Sequence, residues 1–163
     1  MLRPWRQDAA DRALVVRAAT EPDIARYSTV GAATTPGAAD EWLVARSAPD
    51  RCDWVMERGS APVGRVSLAR VDQERRTAEI GYWVLPEHRR KGYARGGASA
   101  AIDDAIGRLG LTRLRIEHEP ANKASCSLAT ALDFGGCSPA NEPVVVAGTP
   151  LHLWVHARSF ERP

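Results

Sequence analysis

The stretch His88-Arg89-Arg90-Lys91-Gly92-Tyr93-Ala94-Arg95-Gly96-Gly97 joins a predicted strand to a predicted helix. The strand covers residues 77–85 and stops where Pro86 removes a backbone donor. The helix continues through residues 98–109, where apolar side chains recur at helical spacing. A helix N-terminus exposes unpaired N–H groups and carries about half a positive charge. With basic residues beside it, this turn predicts a phosphate-binding site.

The glycines in this stretch also favour a site where a ligand or a strand lies close to the backbone. Gly92 lets the backbone come close to a ligand. Gly96 and Gly97 each cost about 1 kcal/mol relative to alanine inside a helix. Two such residues in one turn predict that a ligand or a strand approaches the helix closely there.

Three kinds of phosphate-binding loop can be compared with this segment. A P-loop requires GxxxxGK[ST], and no Lys-Ser or Lys-Thr follows the second glycine here. A dinucleotide fold requires GxGxxG after a first strand, whereas this segment reads GxxxGG after several strands. Residues 89–94 instead fit [Q/R]xxGx[G/A], and they resemble the GNAT superfamily of N-acetyltransferases. In that family this loop cradles the pyrophosphate of CoA.

The surroundings of the loop strengthen the resemblance. Residues 79–84 (Glu-Ile-Gly-Tyr-Trp-Val) lie upstream, and Asn122-Lys123-Ala124-Ser125 lies downstream of the next strand. This layout resembles the RimJ/RimL branch, which acetylates protein N-termini or small amines, over residues 13–158. The end of the last helix, residues 131–135 (Ala-Leu-Asp-Phe-Gly), departs from the usual Lys-x-Gly-Phe. Residues 28–37 lack the usual acidic and aromatic pattern, so the acceptor stays open.

The rest of the chain predicts an α/β fold with a mixed sheet. Predicted strands cover residues 13–17, 52–57, 62–71, 77–85 and 112–118, with a closing pair at 144–146 and 151–156 around Gly148-Thr149-Pro150. Predicted helices follow Thr20 and cover residues 37–46, 98–109 and 122–134. The resemblance implies one GNAT-like domain over residues 13–163, after a frayed segment at 1–12. Its sheet has about seven strands, flanked by about four helices and splayed between the fourth and fifth strands.

Composition limits the classes of function. A chain of 163 residues with a net charge of +2 gives no electrostatic case for binding nucleic acid or a membrane. No apolar run approaches the roughly 20 residues of a membrane span, and no signal peptide is evident, so the cytoplasm is the expected location. Three cysteines without CxxC spacing indicate reduced thiols, and no metal site is predicted.

The resemblance also implies roles for particular residues. An amine attacks the thioester of acetyl-CoA directly, and the backbone N–H of Val84 stabilises the oxyanion. Backbone groups of Val84 and Leu85 pair with pantetheine, which Asn122 also holds, and Ser125 protonates the leaving thiolate. The pyrophosphate contacts come from Arg90, Lys91, Gly92, Tyr93, Ala94 and Arg95, while Arg89 contacts the 3′-phosphate or stays in solvent.

Several side chains are candidates for the general base. Glu79 on the fourth strand could relay a proton through water, or it could simply pair with an arginine. Glu117 and His118 lie near the end of the fifth strand. Alternation along that strand places His118 with Leu114 and Ile116, and Glu117 on the opposite face.

Three other functions stay open. A non-catalytic acyl-CoA-binding module would keep the phosphate turn, and a nucleotide-binding protein could use the same turn. A transferase of a bulkier acyl-CoA would keep the whole fold. The expected partner is a small-molecule or peptide amine, and a homodimer through edge strands is a further expectation.

Overall fold

The computed structural model describes residues 1–141, 143–146 and 149–161, with the side chains of all of these except 144–146 and 149. The helices in this part of the chain are α1 (Ala9–Thr20), α2 (Pro22–Tyr27), α3 (Pro36–Val44), α4 (Tyr93–Gly107) and α5 (Lys123–Ala131). The strands are β1 (Leu2–Pro4), β2 (Cys52–Arg58), β3 (Ala61–Asp72), β4 (Thr77–Val84), β5 (Arg113–His118), β6 (Ser138–Pro139), β7 (Val144–Val146), β8 (Thr149–Leu151) and β9 (Trp154–Ser159).

Seven strands form one mixed sheet in the order β1-β2-β3-β4-β5-β9-β6, and β7 pairs separately with β8. The parallel neighbours β4 and β5 pair only from Thr77↔Arg113 to Glu79↔Arg115. Beyond that point β4 continues to Val84 and β5 to His118 without pairing to each other. The predicted seven-stranded sheet and its split between the fourth and fifth strands are therefore confirmed, with five helices around it.

The two faces of the sheet carry separate cores because side chains alternate along each strand. On one face, Ala78 and Ile80 of β4 pack with α4 and α5. On the other face, Trp83 packs with apolar side chains of α1, α2 and α3. The helices thus cover both faces, and the end of β4 lies between the two layers.

The predicted first strand at residues 13–17 is wrong, because this segment lies inside α1. The side chain of Asp8 caps that helix by accepting a hydrogen bond from the N–H of Asp11. Leu14 and Val15 are buried in the core as part of one helical face. A short apolar run fits a strand or a helix equally well, and the cap at Asp8 decides for the helix.

The predicted fraying of residues 1–12 is also wrong, because β1 pairs with β2 and α1 begins at Ala9. The guanidinium of Arg3 donates to the carboxylates of both Asp11 and Glu57, with Nη1 2.9 Å from Asp11 Oδ2. All three residues are buried, and Asp11 is 0% exposed. Charges tolerate such burial only when they are paired, so this cluster fixes the N-terminal segment to the sheet.

The C-terminal third follows the prediction in part. Helix α5 ends at Ala131 instead of residue 134, because Asp133 takes a left-handed backbone conformation with φ of 59°. The predicted strand at 151–156 is divided between β8 and β9, and β6 had no signal in the sequence. Gly148, part of the predicted closing turn, lies outside the described residues. Every described helix falls short of the length and apolar character that a membrane span requires.

The Arg3 cluster leads to a prediction about stability. Asp11→Ala leaves the buried guanidinium of Arg3 with Glu57 as its one remaining carboxylate and the C=O of Pro4 as a further acceptor. We expect the free energy of unfolding to fall by about 3–5 kcal/mol in urea denaturation. Asp104, which pairs with the exposed Arg108 at 2.7 Å, is the matched control. Asp104→Ala should cost less than about 1 kcal/mol. Equal losses in the two variants would contradict the structural role of the cluster.

Candidate active site

Helix α4 begins after Gly92 with free backbone amides. The first helical hydrogen bond runs from the N–H of Gly96 to the C=O of Gly92 at 2.9 Å. The N–H groups of Tyr93, Ala94 and Arg95 therefore have no acceptor within the helix. Gly92 is the N-cap and contributes no side-chain acceptor. The turn can accept an anion, as the sequence predicts.

The three glycines of this turn serve different purposes. Gly92 has a φ of +82°, a left-handed conformation that other residues rarely adopt, and the space around it is open. A Cβ at Gly97 would collide with the side chain of Met56, so this glycine lets α4 lie directly on the sheet. A Cβ at Gly96 would meet no protein atom within 4 Å, so the close approach of the sheet occurs at Gly97.

A cavity of about 360 Å³ opens between α2, the end of β4 and the N-termini of α4 and α5. This volume lies in the range of ordinary ligand pockets. The predicted cofactor residues that line it are Val84, Arg89, Arg90, Gly92, Tyr93, Ala94, Arg95, Asn122 and Ser125. Lys91 and Leu85 are not among its lining residues.

The structure contradicts the prediction for Leu85. Its N–H donates to the C=O of Val63 at 3.0 Å, and its C=O accepts from the N–H of His88 at 2.9 Å. Its side chain is buried in the core formed with α1, α2 and α3. The N–H of Leu85 is thus occupied within the protein and its C=O already accepts one hydrogen bond, so Leu85 has no free backbone donor to pair with pantetheine.

Two of the basic side chains are also engaged within the protein. Arg89 donates from Nε to the C=O of Val84 at 2.9 Å and from Nη1 to the carboxylate of Asp23. Arg89 therefore connects the end of β4 to α2. Lys91 donates to the C=O of Glu87 at 2.7 Å and is exposed. Within the described residues, Arg90 and Arg95 are the basic side chains of this turn that form no hydrogen bond or ion pair.

The backbone of β4 presents Val84 to the gap in the sheet. Since the N–H of Leu85 faces β3, alternation along an antiparallel ladder turns the N–H of Val84 toward β5. Pairing with β5 has already stopped at Glu79. The N–H of Val84 can therefore donate to a ligand, while its C=O accepts from Arg89.

Ser125 and Tyr82 form a hydrogen-bonded pair beside this gap. Their hydroxyl oxygens are 2.8 Å apart, and Ser125 is 8% exposed. Burial raises the pKa of Tyr82 to about 12, although the hydrogen bond with Ser125 opposes this shift. Asn122 caps α5 by accepting the N–H of Ser125 at 3.1 Å, which fixes the position of the serine.

A second cavity, of about 220 Å³, adjoins the first and shares Tyr82, Asn122 and Ser125 with it. Three carboxylates line it: Glu79, Glu117 and Glu119. Arg70 is the one arginine or lysine among its described lining residues. Two arginines outside the lining also pair with these carboxylates: Arg26 lies 2.9 Å from Glu119, and Arg115 lies 3.6 Å from Glu117. The side chains of Arg26 and Arg115 are 63% and 41% exposed, so the groups that face the cavity itself are mainly carboxylates.

Arg70 bridges two of these carboxylates. Its Nη1 lies 2.9 Å from Glu79 Oε2 and 3.6 Å from Glu117 Oε2. Burial, followed by repulsion from Glu117, raises the pKa of Glu79 above its ordinary value. Glu79 is therefore both paired with an arginine and adjusted toward the pKa of a general base. Both roles that the sequence left open are compatible with its position.

Some residues of this site were not predicted from the sequence. Tyr82 lies two residues before Val84 on the same face of β4, and strand alternation was the available signal. Arg70 reaches the second cavity from β3, and Glu119 reaches it from the loop after β5. Neither residue belongs to a sequence motif that could have identified it. His118 lines the same cavity, and its Nδ1 lies 2.7 Å from the C=O of Glu119.

Sequence relatives of this chain include bacterial proteins named as N-acetyltransferases. The chain is 30% identical over 106 residues to a Bacillus subtilis protein named uncharacterized N-acetyltransferase YoaA, a match covering 64% of this chain and 60% of that protein. This chain thus spans about three fifths of that relative's length.

Solved structures share the fold over nearly the whole chain. Spermidine N-acetyltransferase from Vibrio cholerae in complex with CoA and spermine has a TM-score of 0.80 at 18% identity, covering 98% of this chain and 94% of that one. Microcin C7 self immunity acetyltransferase MccE in complex with acetyl-CoA and AMP has a TM-score of 0.82 at 15% identity, covering 98% and 91%.

The sequence profile described as "Acetyltransferase (GNAT) domain" matches residues 1–135. This match is more than half of the chain and includes the split sheet, the turn before α4 and the Ser125–Tyr82 pair. It agrees with the resemblance that the turn at residues 89–94 indicated. The chain therefore belongs to the GNAT acetyltransferase family.

Proposed function

We propose that this protein transfers an acetyl group from acetyl-CoA to a primary amine by direct attack of the amine on the thioester. One observation carries the proposal: two cavities meet at the Ser125–Tyr82 pair, beside the unpaired end of β4. The larger cavity ends at the free amides of α4, and the smaller one is lined by carboxylates. The family of the chain and its structural relatives with bound CoA or acetyl-CoA support this assignment.

In the proposed complex, acetyl-CoA occupies the larger cavity. Its pyrophosphate accepts hydrogen bonds from the N–H groups of Tyr93, Ala94 and Arg95, with charge supplied by Arg90. The pantetheine arm then runs along the unpaired edge of β4. The N–H of Val84 faces the gap in which the thioester oxygen would lie, so it is the proposed oxyanion donor.

The reaction forms a nitrogen–carbon bond and breaks the carbon–sulfur bond of the thioester. The protonated amine loses one proton to Glu79 through water and attacks as the free amine. Ser125 donates a proton to the departing thiolate, and the second proton of the amine, released when the nitrogen–carbon bond has formed, replaces it on the serine. Tyr82 keeps its proton at neutral pH because its pKa is raised to about 12. It can therefore donate to Ser125, which directs the serine hydroxyl toward the sulfur.

The smaller cavity favours a cationic acceptor. Three carboxylates line it, and the arginines that pair with Glu119 and Glu117 from outside the lining are 63% and 41% exposed, so the cavity attracts a protonated amine electrostatically. Glu79 and Glu117 are well shielded, with side-chain exposures of 18% and 6%, so water screens their field only in part. A structural relative that is a spermidine N-acetyltransferase, with spermine bound, is consistent with an acceptor of this charge.

A panel of acceptors tests the proposed function. We expect mass spectrometry to detect acetylated product from acetyl-CoA with cationic primary amines, including polyamines, and with N-terminal peptides to a lesser extent. Transfer from succinyl-CoA alone would favour the bulkier acyl donor. Tight binding of CoA without transfer to any amine would favour the non-catalytic module and overturn the proposal.

Ser125→Ala separates catalysis from binding in the same assay. We expect kcat to fall about 10²-fold, because the leaving thiolate loses its proton donor. The Kd for CoA should stay close to that of the wild type, since the phosphate turn is untouched. A wild-type rate in the folded variant would remove Ser125 from the mechanism.

The phosphate turn can be tested at Gly92 with two nearly isosteric substitutions. Asn and Asp both tolerate a left-handed backbone, so they differ mainly in charge. We expect Gly92→Asp to weaken CoA binding in calorimetry by at least about tenfold relative to Gly92→Asn, because the carboxylate repels the pyrophosphate. Equal affinities would place the pyrophosphate elsewhere. Protection by ATP but not by CoA in a thermal-shift assay would favour a nucleotide-binding protein.

The raised pKa of Glu79 gives a signed pH dependence. A base works only when it is deprotonated, so kcat/KM should fall as the pH falls through the raised pKa of Glu79. With the same amine, Glu79→Gln should lower kcat/KM at the plateau of the pH profile about 10²-fold. The pH dependence that remains should be that of the amine alone. Glu117→Gln removes a repelling charge and should move the Glu79 limb to lower pH. A Glu79→Gln profile identical to the wild type would exclude Glu79 as the base.

A further inference from the structure

Two histidines and a cysteine meet below the second cavity, outside the groups that the proposed reaction uses. His118 lies at the end of β5, His156 in β9 and Cys126 in the second turn of α5. One ligand atom of each lies within 4.8 Å of the others. Since Ile116 pairs with His156, the two histidines are diagonal neighbours on one face of the sheet, and their rings stack 5.2 Å apart.

Backbone carbonyls set the tautomers of both histidines. His118 Nδ1 lies 2.7 Å from the C=O of Glu119, and His156 Nδ1 lies 2.7 Å from the C=O of Gly135. A carbonyl can only accept, so each Nδ1 carries the proton and each Nε2 of the neutral ring carries a lone pair. Metal-binding histidines are commonly oriented in this way, by an acceptor that binds the ring N–H on the side away from the metal.

The two Nε2 atoms are buried without partners. His118 is 5% exposed and His156 is 2% exposed, and neither Nε2 has a hydrogen-bond partner within the described residues. A buried acceptor without a donor loses the hydrogen bonds that it makes to water in the unfolded chain, and this destabilises the protein. The single thiol proton of Cys126 can satisfy one of these nitrogens at most. A cation that binds the thiolate and both Nε2 atoms gives each nitrogen a partner.

We propose that His118, His156 and Cys126 form a binding site for a divalent metal ion of the zinc class. Imidazole nitrogen and thiolate sulfur are the donors that Zn²⁺ prefers. Around a tetrahedral Zn²⁺, with bonds of about 2.0–2.3 Å, neighbouring ligand atoms lie about 3.3–3.6 Å apart. The three side chains therefore need to close by about 1 Å, and the stacked imidazole rings need to turn so that both Nε2 lone pairs point at the ion. Binding displaces the thiol proton of Cys126, and water or another ligand takes the fourth position.

The position of the site suggests what the metal stabilises. It connects β5, β9 and α5, which are three separate elements around the C-terminal half of the sheet. Cys126 directly follows Ser125, so the metal would also fix the turn of α5 that carries the serine. This inference does not depend on the proposed acetyl transfer, because metal binding is measured without any acyl donor.

Metal titration of the full chain, free of any histidine tag and stripped with a chelator, tests the site. We expect one Zn²⁺ to bind per chain in competition with a chromophoric chelator, and Zn²⁺ to raise the Tm. Co²⁺ should give tetrahedral d–d bands and a thiolate-to-cobalt charge-transfer band. Binding of less than one Zn²⁺ per chain, or Co²⁺ spectra without thiolate charge transfer, would overturn the proposal.

Cysteine variants locate the site. Cys126→Ser is nearly isosteric and should lose the charge-transfer band and at least about tenfold in Zn²⁺ affinity. Cys52→Ser and Cys137→Ser are the matched controls and should bind as the wild type does. Unchanged Zn²⁺ affinity in the folded Cys126→Ser variant would refute the assignment.

Alkylation of the wild type gives a second readout that needs no variant. Zn²⁺ should slow the reaction of Cys126 with iodoacetamide and leave Cys52 and Cys137 unaffected, as followed by peptide mass spectrometry. All three cysteines are partly exposed, so the other two are internal controls in the same molecule. Equal rates at Cys126 with and without Zn²⁺ would contradict the site even if Cys126→Ser fails to fold.

Discussion

The early end of hydrogen bonding between β4 and β5 is the constraint on which the rest of the structure depends. Backbone N–H and C=O groups are obligatory hydrogen-bonding groups, and leaving them unpaired inside a protein is costly. Here β4 and β5 separate after Glu79 and Arg115, although both strands continue. The separation creates a strand edge inside the protein, and the two cavities meet beside it.

The fold holds the turn before α4 and this strand edge in a fixed relation. Gly97 lets α4 lie against Met56 and Val66, so the helix position is set by packing on β2 and β3. Arg89 adds a second connection, because it joins the C=O of Val84 to Asp23 of α2. The free amides and the edge of β4 are thus oriented before any ligand arrives, as electrostatic stabilisation requires.

Local features of the site could be read from the sequence, and features made by distant residues could not. The turn at residues 89–94 and the strand before it depend on neighbouring residues and periodicity, so their positions were predicted closely. The Arg3 cluster joins residues up to 54 positions apart, and the Ser125–Tyr82 bond spans 43 positions. Leu85 was misassigned because its hydrogen bonds depend on the register with β3, which no local pattern specifies.

Buried charges in this protein fall into two kinds, and the exposure of the arginine partner distinguishes them. Asp11 and Glu57 share Arg3, whose side chain is 9% exposed, so all three charges are enclosed together. The charges of such a cluster neutralise one another inside the protein, which suits a structural role. Glu79 and Glu117 share Arg70, whose side chain is 51% exposed, so water competes for the cation while both carboxylates stay shielded. The pKa of Glu79 is raised as a result of burial and repulsion, which makes this carboxylate a stronger proton acceptor near the unpaired strand edge. A carboxylate whose charge is only partly neutralised, and which lies beside a cavity, can accept a proton from a ligand. The Arg3 cluster contains no carboxylate of this kind.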